Sequence, residues 1–260
     1  MNQQLPDVIA EVTARHLELL DLALPGRAQG LYVTGSAALG DFHPPMSDID
    51  AVVVLDIPVD DPAALEAVHA QLPGDPAYDV YYLTRAQLAA PAVEGTQAPF
   101  TMHGLFDDGF GGAPVSPVLW AELARQPLVV RAAPDLVVHD DHDGLRRHTR
   151  ANLDDYWQPW LDDAADHLAA GKVSQAEAEL VSVWPVLGVP RLHALLATDR
   201  IISKSQAAEY AAEHFPAHAD LARRCLAHRH GVTQTWDLDH AAAAVALGRE
   251  VIADAHRRWP

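Results

Sequence analysis

Asp48 and Asp50, with Ile49 between them and an apolar run over residues 51–55 behind them, are where this sequence could do chemistry. Alternate residues of an extended strand point the same way, so the two carboxylates project together while Ile49 faces a core. Side by side they repel each other unless a cation lies between them, and their oxygens suit a hard ion such as magnesium. Upstream, a second apolar run over residues 31–33 breaks at Gly35-Ser36. A glycine there lets the backbone turn tightly and bring its N–H groups close to a ligand, and the serine adds a hydroxyl. Ser47 stands immediately before Asp48. Taken singly, an Asp-x-Asp at a strand end keeps an edge soluble, and Gly-Ser is an ordinary turn. The whole order of strand, Gly-Ser, linker, Ser-Asp-x-Asp and strand describes a phosphate cradle beside a metal clamp, the apparatus of phosphoryl or nucleotidyl transfer.

The elements around these residues must hold them in place. The sequence predicts a helix over residues 6–24, stopped by Pro25-Gly26, then strands over 30–34 and 49–55. Residues 37–40 read as a short helical turn with its N-terminus toward the phosphate. His43-Pro44-Pro45 makes a stiff loop delivering Ser47 and Asp48, and His43 itself reads as a solvated loop histidine. A helix over 61–72 is followed by residues 77–83, rich in strand formers, with Asp79 in their midst. An acid there is costly to bury unless it is paired or faces a site. If this strand neighbours the second, Asp79 becomes a third carboxylate; otherwise it is an exposed acid on an edge. Residues 86–117, rich in Gly, Pro and Ala, read as a long loop across the mouth of the site, and 119–123 and 128–130 as a helical turn and a strand.

The run His139-Asp140-Asp141-His142-Asp143-Gly144 fits no metal-ligand spacing and reads as a solvated linker at a domain junction. Beyond it the character turns helical, with segments over 145–169, 174–196, 203–213, 217–230 and 238–258. Ser203 and Gln206 have capping-box spacing, while Pro159, Pro185 and Pro190 should kink or divide the longer segments. The expected architecture is α+β: a small mixed-sheet domain over residues 1–144, followed by an all-α helical bundle over 145–260.

The chain has 260 residues, 49% of them hydrophobic, enough for two modest domains with real cores. A single cysteine, Cys225, excludes a disulfide framework and reads as a structural thiol. The first residues lack the basic and apolar regions of a signal peptide, and no uninterrupted apolar run reaches the ~20 residues that span a bilayer, so a soluble, cytoplasmic protein is expected. The net charge of −18 disfavours nucleic acid as a partner and would steer in a cationic small molecule, although acidity also simply favours solubility.

The stretch over residues 31–55 resembles the polymerase-β-like nucleotidyltransferase superfamily, in which Gly-Ser holds the nucleotide phosphates and the paired aspartates bind magnesium. In the helical half, the segment 190–208 runs from Arg191 through Ile201-Ile202-Ser203-Lys204 to Ala207-Ala208. It is similar to aminoglycoside adenylyltransferases of the streptomycin/spectinomycin-modifying type, with the same Arg-to-Lys spacing of thirteen. The resemblance implies a palm-type sheet domain and a helical C-terminal domain. It further implies nucleotide binding by Gly35, Ser36, Ser47, Arg191 and Lys204, magnesium on Asp48 and Asp50, and Asp79 as the catalytic base or an additional metal ligand. The family usually has Glu at that last position, one methylene longer. Around the family's acceptor-reading positions this chain offers Trp184 and the upstream acids Glu177 and Glu179.

The activity so implied is transfer of AMP from Mg-ATP to a hydroxyl of a small cationic acceptor such as an aminoglycoside or aminocyclitol, with antibiotic resistance as an associated role. Neither nucleic acid nor membrane is implied as a partner, and a monomer suffices. The competing reading is a nucleotide-binding or regulatory, antitoxin-like protein whose transfer activity is weak or vestigial. The presence of all three acids argues against it.

Overall fold

The computed structural model describes residues 5–44, 46–171 and 173–259; expectations falling on Met1 to Gln4 and on Pro45 lie outside these residues. The chain divides into two compact units, Met1–Leu145 and Arg146–Pro260.

In the first unit, helix α1 (Asp7–Ala23) buries a stripe at helical spacing that includes Ile9, Val12, Leu17 and Leu20. Strand β1 (Ala28–Val33) leads into a one-turn helix, α2 (Gly35–Ala38), and β2 (Ile49–Leu55) follows. Helix α3 (Ala63–His69) crosses to β3 (Tyr78–Thr84), which runs into the short helix α4 (Arg85–Leu88). Strands β2 and β3 are parallel, and Asp50 is the register partner of Asp79. A strand covered on both faces reads as an unbroken apolar run, which is why β2 is Ile-Asp-Ala-Val-Val-Val-Leu.

The long loop expected over residues 86–117 is only partly a loop. Within it Phe100–Met102 (β4) and Leu105–Asp107 (β5) form a tight hairpin joined by His103-Gly104. Both turn residues have positive φ, 52° and 74°, as a two-residue hairpin turn that matches strand twist requires. Helix α5 (Pro117–Arg125) and strand β6 (Leu128–Arg131) complete the unit, extending the expected helical turn. The mixed sheet has the order β5-β4-β3-β2-β1-β6, with β2–β3 its parallel pair.

The two faces of the sheet have different work. On one, Leu31, Val33, Ile49, Ala51, Val53, Val80 and Tyr82 pack with the apolar residues of α1 and α3. Inside that layer lies a polar cluster: the Tyr82 hydroxyl is 2.7 Å from His16 Nε2 and 2.6 Å from His69 Nε2, and the Tyr78 hydroxyl is 3.0 Å from His16 Nδ1. With one proton to give, Tyr82 can donate to one imidazole while accepting from the other. Burial pushes His69 down to about 4, and burial together with His69 holds His16 well below its ordinary value, so both rings are neutral. On the other face Tyr32, Val52, Val54 and Leu83 pack with Trp120 and Leu123 of α5. By strand alternation this second face is also the one to which Asp50 and Asp79 belong.

The second unit is all helix, as expected. Helix α6 (His142–Asn152) begins before the division and continues through a π turn at Leu153–Trp157 into α7 (Gln158–Ala169), with Pro159 in the first turn of α7. Helix α8 (Gln175–Thr198) starts at a capping box of Ser174 and Glu177 and runs unbroken past Pro185 and Pro190, which do not divide it. Its length and apolarity would suffice to cross a membrane, but 67% of its most apolar window is buried within the protein. Helices α9 (Lys204–His214), α10 (Ala219–Arg229) and α11 (Leu238–Arg258) enclose it. Ser203 and Gln206 form the expected capping box of α9. Cys225 is fully buried, and burial pushes its thiol up to about 12, which makes it an inert packing group.

Candidate active site

The candidate site is gathered at the start of the parallel pair. Because β2 and β3 run the same way, their first residues lie at the same end of the sheet, so Asp50 is level with Asp79, and Asp48, just before β2, comes beside Asp79. Ligand atoms of Asp48, Asp79 and His103 all lie within 4.8 Å of one another. Asp79 is 8% exposed, and among the described residues its Oδ1 has no hydrogen-bond partner. Burial, then the charge of Asp48, raises the Asp79 carboxyl above its ordinary range, while the backbone N–H groups of Gly104 and His103 and the imidazole charge pull it down. Tyr81, two residues along the same strand, is pushed up to about 12 by burial and by Asp50 and Asp79.

Gly35 is required by the geometry twice over. Its φ of +59° is left-handed, and a Cβ at this position would overlap the Asp50 carboxylate. The backbone can therefore pass directly beside Asp50. The Gly35 N–H donates to Glu122 Oε2 at 3.4 Å, so a buried acid of α5 also reaches this corner. The hydroxyl of Ser36 is buried with no partner among the described residues. That of Ser47 is used locally: it accepts from the His43 N–H at 3.1 Å and pins the loop that leads to Asp48. His43 is half-buried, with Nε2 2.9 Å from Asp41, rather than freely solvated.

A buried carboxylate oxygen and a buried hydroxyl without partners, beside a cluster of acids, are what a cation with its phosphate ligand would satisfy. The donor set thus fits the ion that the sequence implied.

The other expected site residues belong to the second unit. Glu177, Trp184 and Arg191 are spaced by seven residues along α8, nearly two helical turns each, and so share one stripe of the helix. Glu177 is engaged in the capping box, with its second oxygen 3.3 Å from His167. Trp184 is 37% exposed and donates its indole N–H to the Tyr156 hydroxyl at 3.2 Å. The ammonium of Lys204 stands 5.5 Å from the centre of the Trp184 ring. Arg191 donates from Nε to the Ile202 carbonyl at 3.1 Å, tying α8 to the turn that presents Lys204. Trp184, Arg191 and Lys204 are thus one local group.

Two residues at the first unit's site escaped the sequence reading. Glu122 lies in an otherwise apolar helix, Trp-Ala-Glu-Leu-Ala, where a buried acid is itself a signal. His103 opens a His-Gly pair between two short apolar runs, which is a hairpin pattern.

Residues 19–88 match the family model described as a nucleotidyltransferase domain, and residues 152–253 match the C-terminal domain of aminoglycoside adenylyltransferase. Among solved structures, the spectinomycin adenyltransferase AAD(9) from Enterococcus faecialis, determined with ATP and spectinomycin, has a similar fold at a TM-score of 0.65. That similarity covers 93% of this chain and 98% of that one at 14% identity. No curated protein matches the sequence. Sheet, gathered acids and the first family match together define the class: this chain is a nucleotidyltransferase enzyme. The match on its helical half makes it one of the aminoglycoside adenylyltransferase type, with that family's helical C-terminal domain.

Proposed function

We propose that the protein transfers AMP from Mg-ATP to a hydroxyl of a small, cationic acceptor of the aminoglycoside or aminocyclitol kind. The observation that carries this is Asp79: a buried carboxylate, in register with Asp50 and beside Asp48, with one oxygen left without a partner. In this reading Asp48 and Asp50 would hold magnesium, which would supply positive charge to offset the negative charge of the phosphates. The Gly35 backbone leaves room for the triphosphate and the Ser36 hydroxyl donates to it, while Ser47 keeps the loop before Asp48 in place. Arg191 and Lys204 balance the triphosphate charge. Asp79 takes the proton of the acceptor hydroxyl, whose oxygen bonds to the α-phosphorus as the α–β phosphoanhydride bond breaks and pyrophosphate leaves. Trp184 offers an aromatic face to a cationic acceptor. Glu177 is the weaker candidate for that role, since its carboxylate already caps α8.

This reading suits a cytoplasmic protein acting as a monomer on ATP and a small molecule, and antibiotic resistance is the role it suggests. The test is pyrophosphate release from Mg-ATP against a panel of aminoglycosides and aminocyclitols. Release with one acceptor, abolished by Asp50→Asn in a folded protein, is the expected result. An active Asp50→Asn protein, or ATP binding with no release on any acceptor, would overturn it.

A further inference from the structure

We propose that the imidazole of His103 is a metal ligand: with Asp48 and Asp79 it forms a second cation position that takes a divalent transition ion such as Mn2+, Co2+ or Zn2+ in preference to Mg2+. The proposal rests on the reading of this corner as a nucleotidyl-transfer centre and adds to it a ligand that neither the family matches nor the three acids include. Ligand atoms of these three residues already lie within 4.8 Å of one another. Asp79 is more than nine-tenths buried, yet among the described residues its Oδ1 lacks a partner; in the nucleotide-free protein that oxygen is available to an ion, which must leave it before Asp79 acts as the base. The hairpin turn fixes the third member. The two-residue turn between β4 and β5 carries His103 to this corner, and the backbone N–H groups of Gly104 and His103 are near enough to the Asp79 carboxyl to pull it down.

The chemistry of the set decides the ion. Mg2+ takes oxygen ligands in a strict octahedron and keeps several waters, whereas imidazole suits the first-row transition ions. Two carboxylates and one imidazole are such a mixed set. The turn does not itself ask for histidine: at φ +52° before Gly104 the residue best suited to the backbone is asparagine. His103→Asn therefore removes the imidazole while favouring the same turn.

The experiment is Mn2+ titration of the nucleotide-free full chain by electron paramagnetic resonance, reading nitrogen hyperfine coupling on the bound ion, in native protein and in His103→Asn. The native protein should show imidazole coupling and hold Mn2+ against about a tenfold excess of Mg2+. His103→Asn should lose the coupling and bind Mn2+ about tenfold more weakly, with an unchanged melting curve. An all-oxygen Mn2+ signal in the native protein, or coupling that persists in His103→Asn, overturns the proposal. Pyrophosphate release from the same preparations separates the two readings. Release without nitrogen coupling removes His103 as a ligand and leaves adenylyl transfer standing. Coupling without release on any acceptor keeps the metal position and removes the transfer reading.

Discussion

Any side chain at Gly35 would claim the space of the Asp50 carboxylate, so one atom governs both the turn and the clamp. Gly35→Ala should lower stability by about 1–3 kcal/mol through overpacking and a strained left-handed backbone. It should also cut pyrophosphate release by about a hundredfold, because a displacement on the order of 1 Å at a reacting group has that effect. Denaturant melts and turnover on the purified variant check both; native activity in a folded Gly35→Ala would show that the close approach is dispensable. Gly35, Ser36, Asp48 and Asp50 were legible in the sequence because their relations are local: a tight turn and a period of two. Asp79 could be read only conditionally, since its place depends on which strand pairs with β2. His103 and Glu122 were not read at all. They arrive on a hairpin and a helix brought in by tertiary packing, and neither has a short-range relation to the other acids.

Among the elements, the turn between α6 and α7 is where local rules and packing conflict most. A π turn places Trp157 against α8, and the position it covers is Gly188, where a Cβ would overlap the indole ring. Wide turn and missing side chain make one joint. Gly188→Ala should destabilise the helical unit by about 1–3 kcal/mol despite alanine's better helix propensity, and a thermal melt that rises instead would refute the joint. Helix periodicity in the sequence found α1, α8 and α11 nearly whole. It could not anticipate that Pro185 and Pro190 would leave α8 intact, because burial on several sides outweighs the backbone bond each proline removes. The layer under the sheet carries a second prediction. His16 and His69 have folded values below the ordinary 6.5, so the unfolded chain binds more protons as the medium acidifies. Their contribution to stability is complete above pH 6.5 and is lost as pH falls from there toward about 4. His69→Gln should flatten that part of a melting-temperature profile; an unaltered slope would place the acid sensitivity elsewhere.

For the molecule as a whole, the α+β order of sheet domain then helical bundle followed from the change of composition along the chain, since a bundle needs helical period and a sheet needs alternation or apolar runs. The net charge of −18 acts at this scale too. If the acceptor is cationic, its kcat/KM should fall several-fold as salt rises from about 0.05 to about 0.3 M while that for a neutral analogue holds steady, because the field is screened over a Debye length of about 10 Å at 0.1 M. Equal salt dependence for both would remove steering from the account. Helix α8 also bears on how this chain can vary in length. Its acid, its aromatic ring and its guanidinium stand on one stripe at intervals of seven residues. A single residue inserted between Trp184 and Arg191 would swing everything beyond it by about 100°, and only a change close to a whole number of turns restores the alignment. The helix is therefore a graduated rule: insertions are absorbed in loops such as residues 89–99 and 232–237, while the rod between Glu177 and Arg191 can change its residues but not its count.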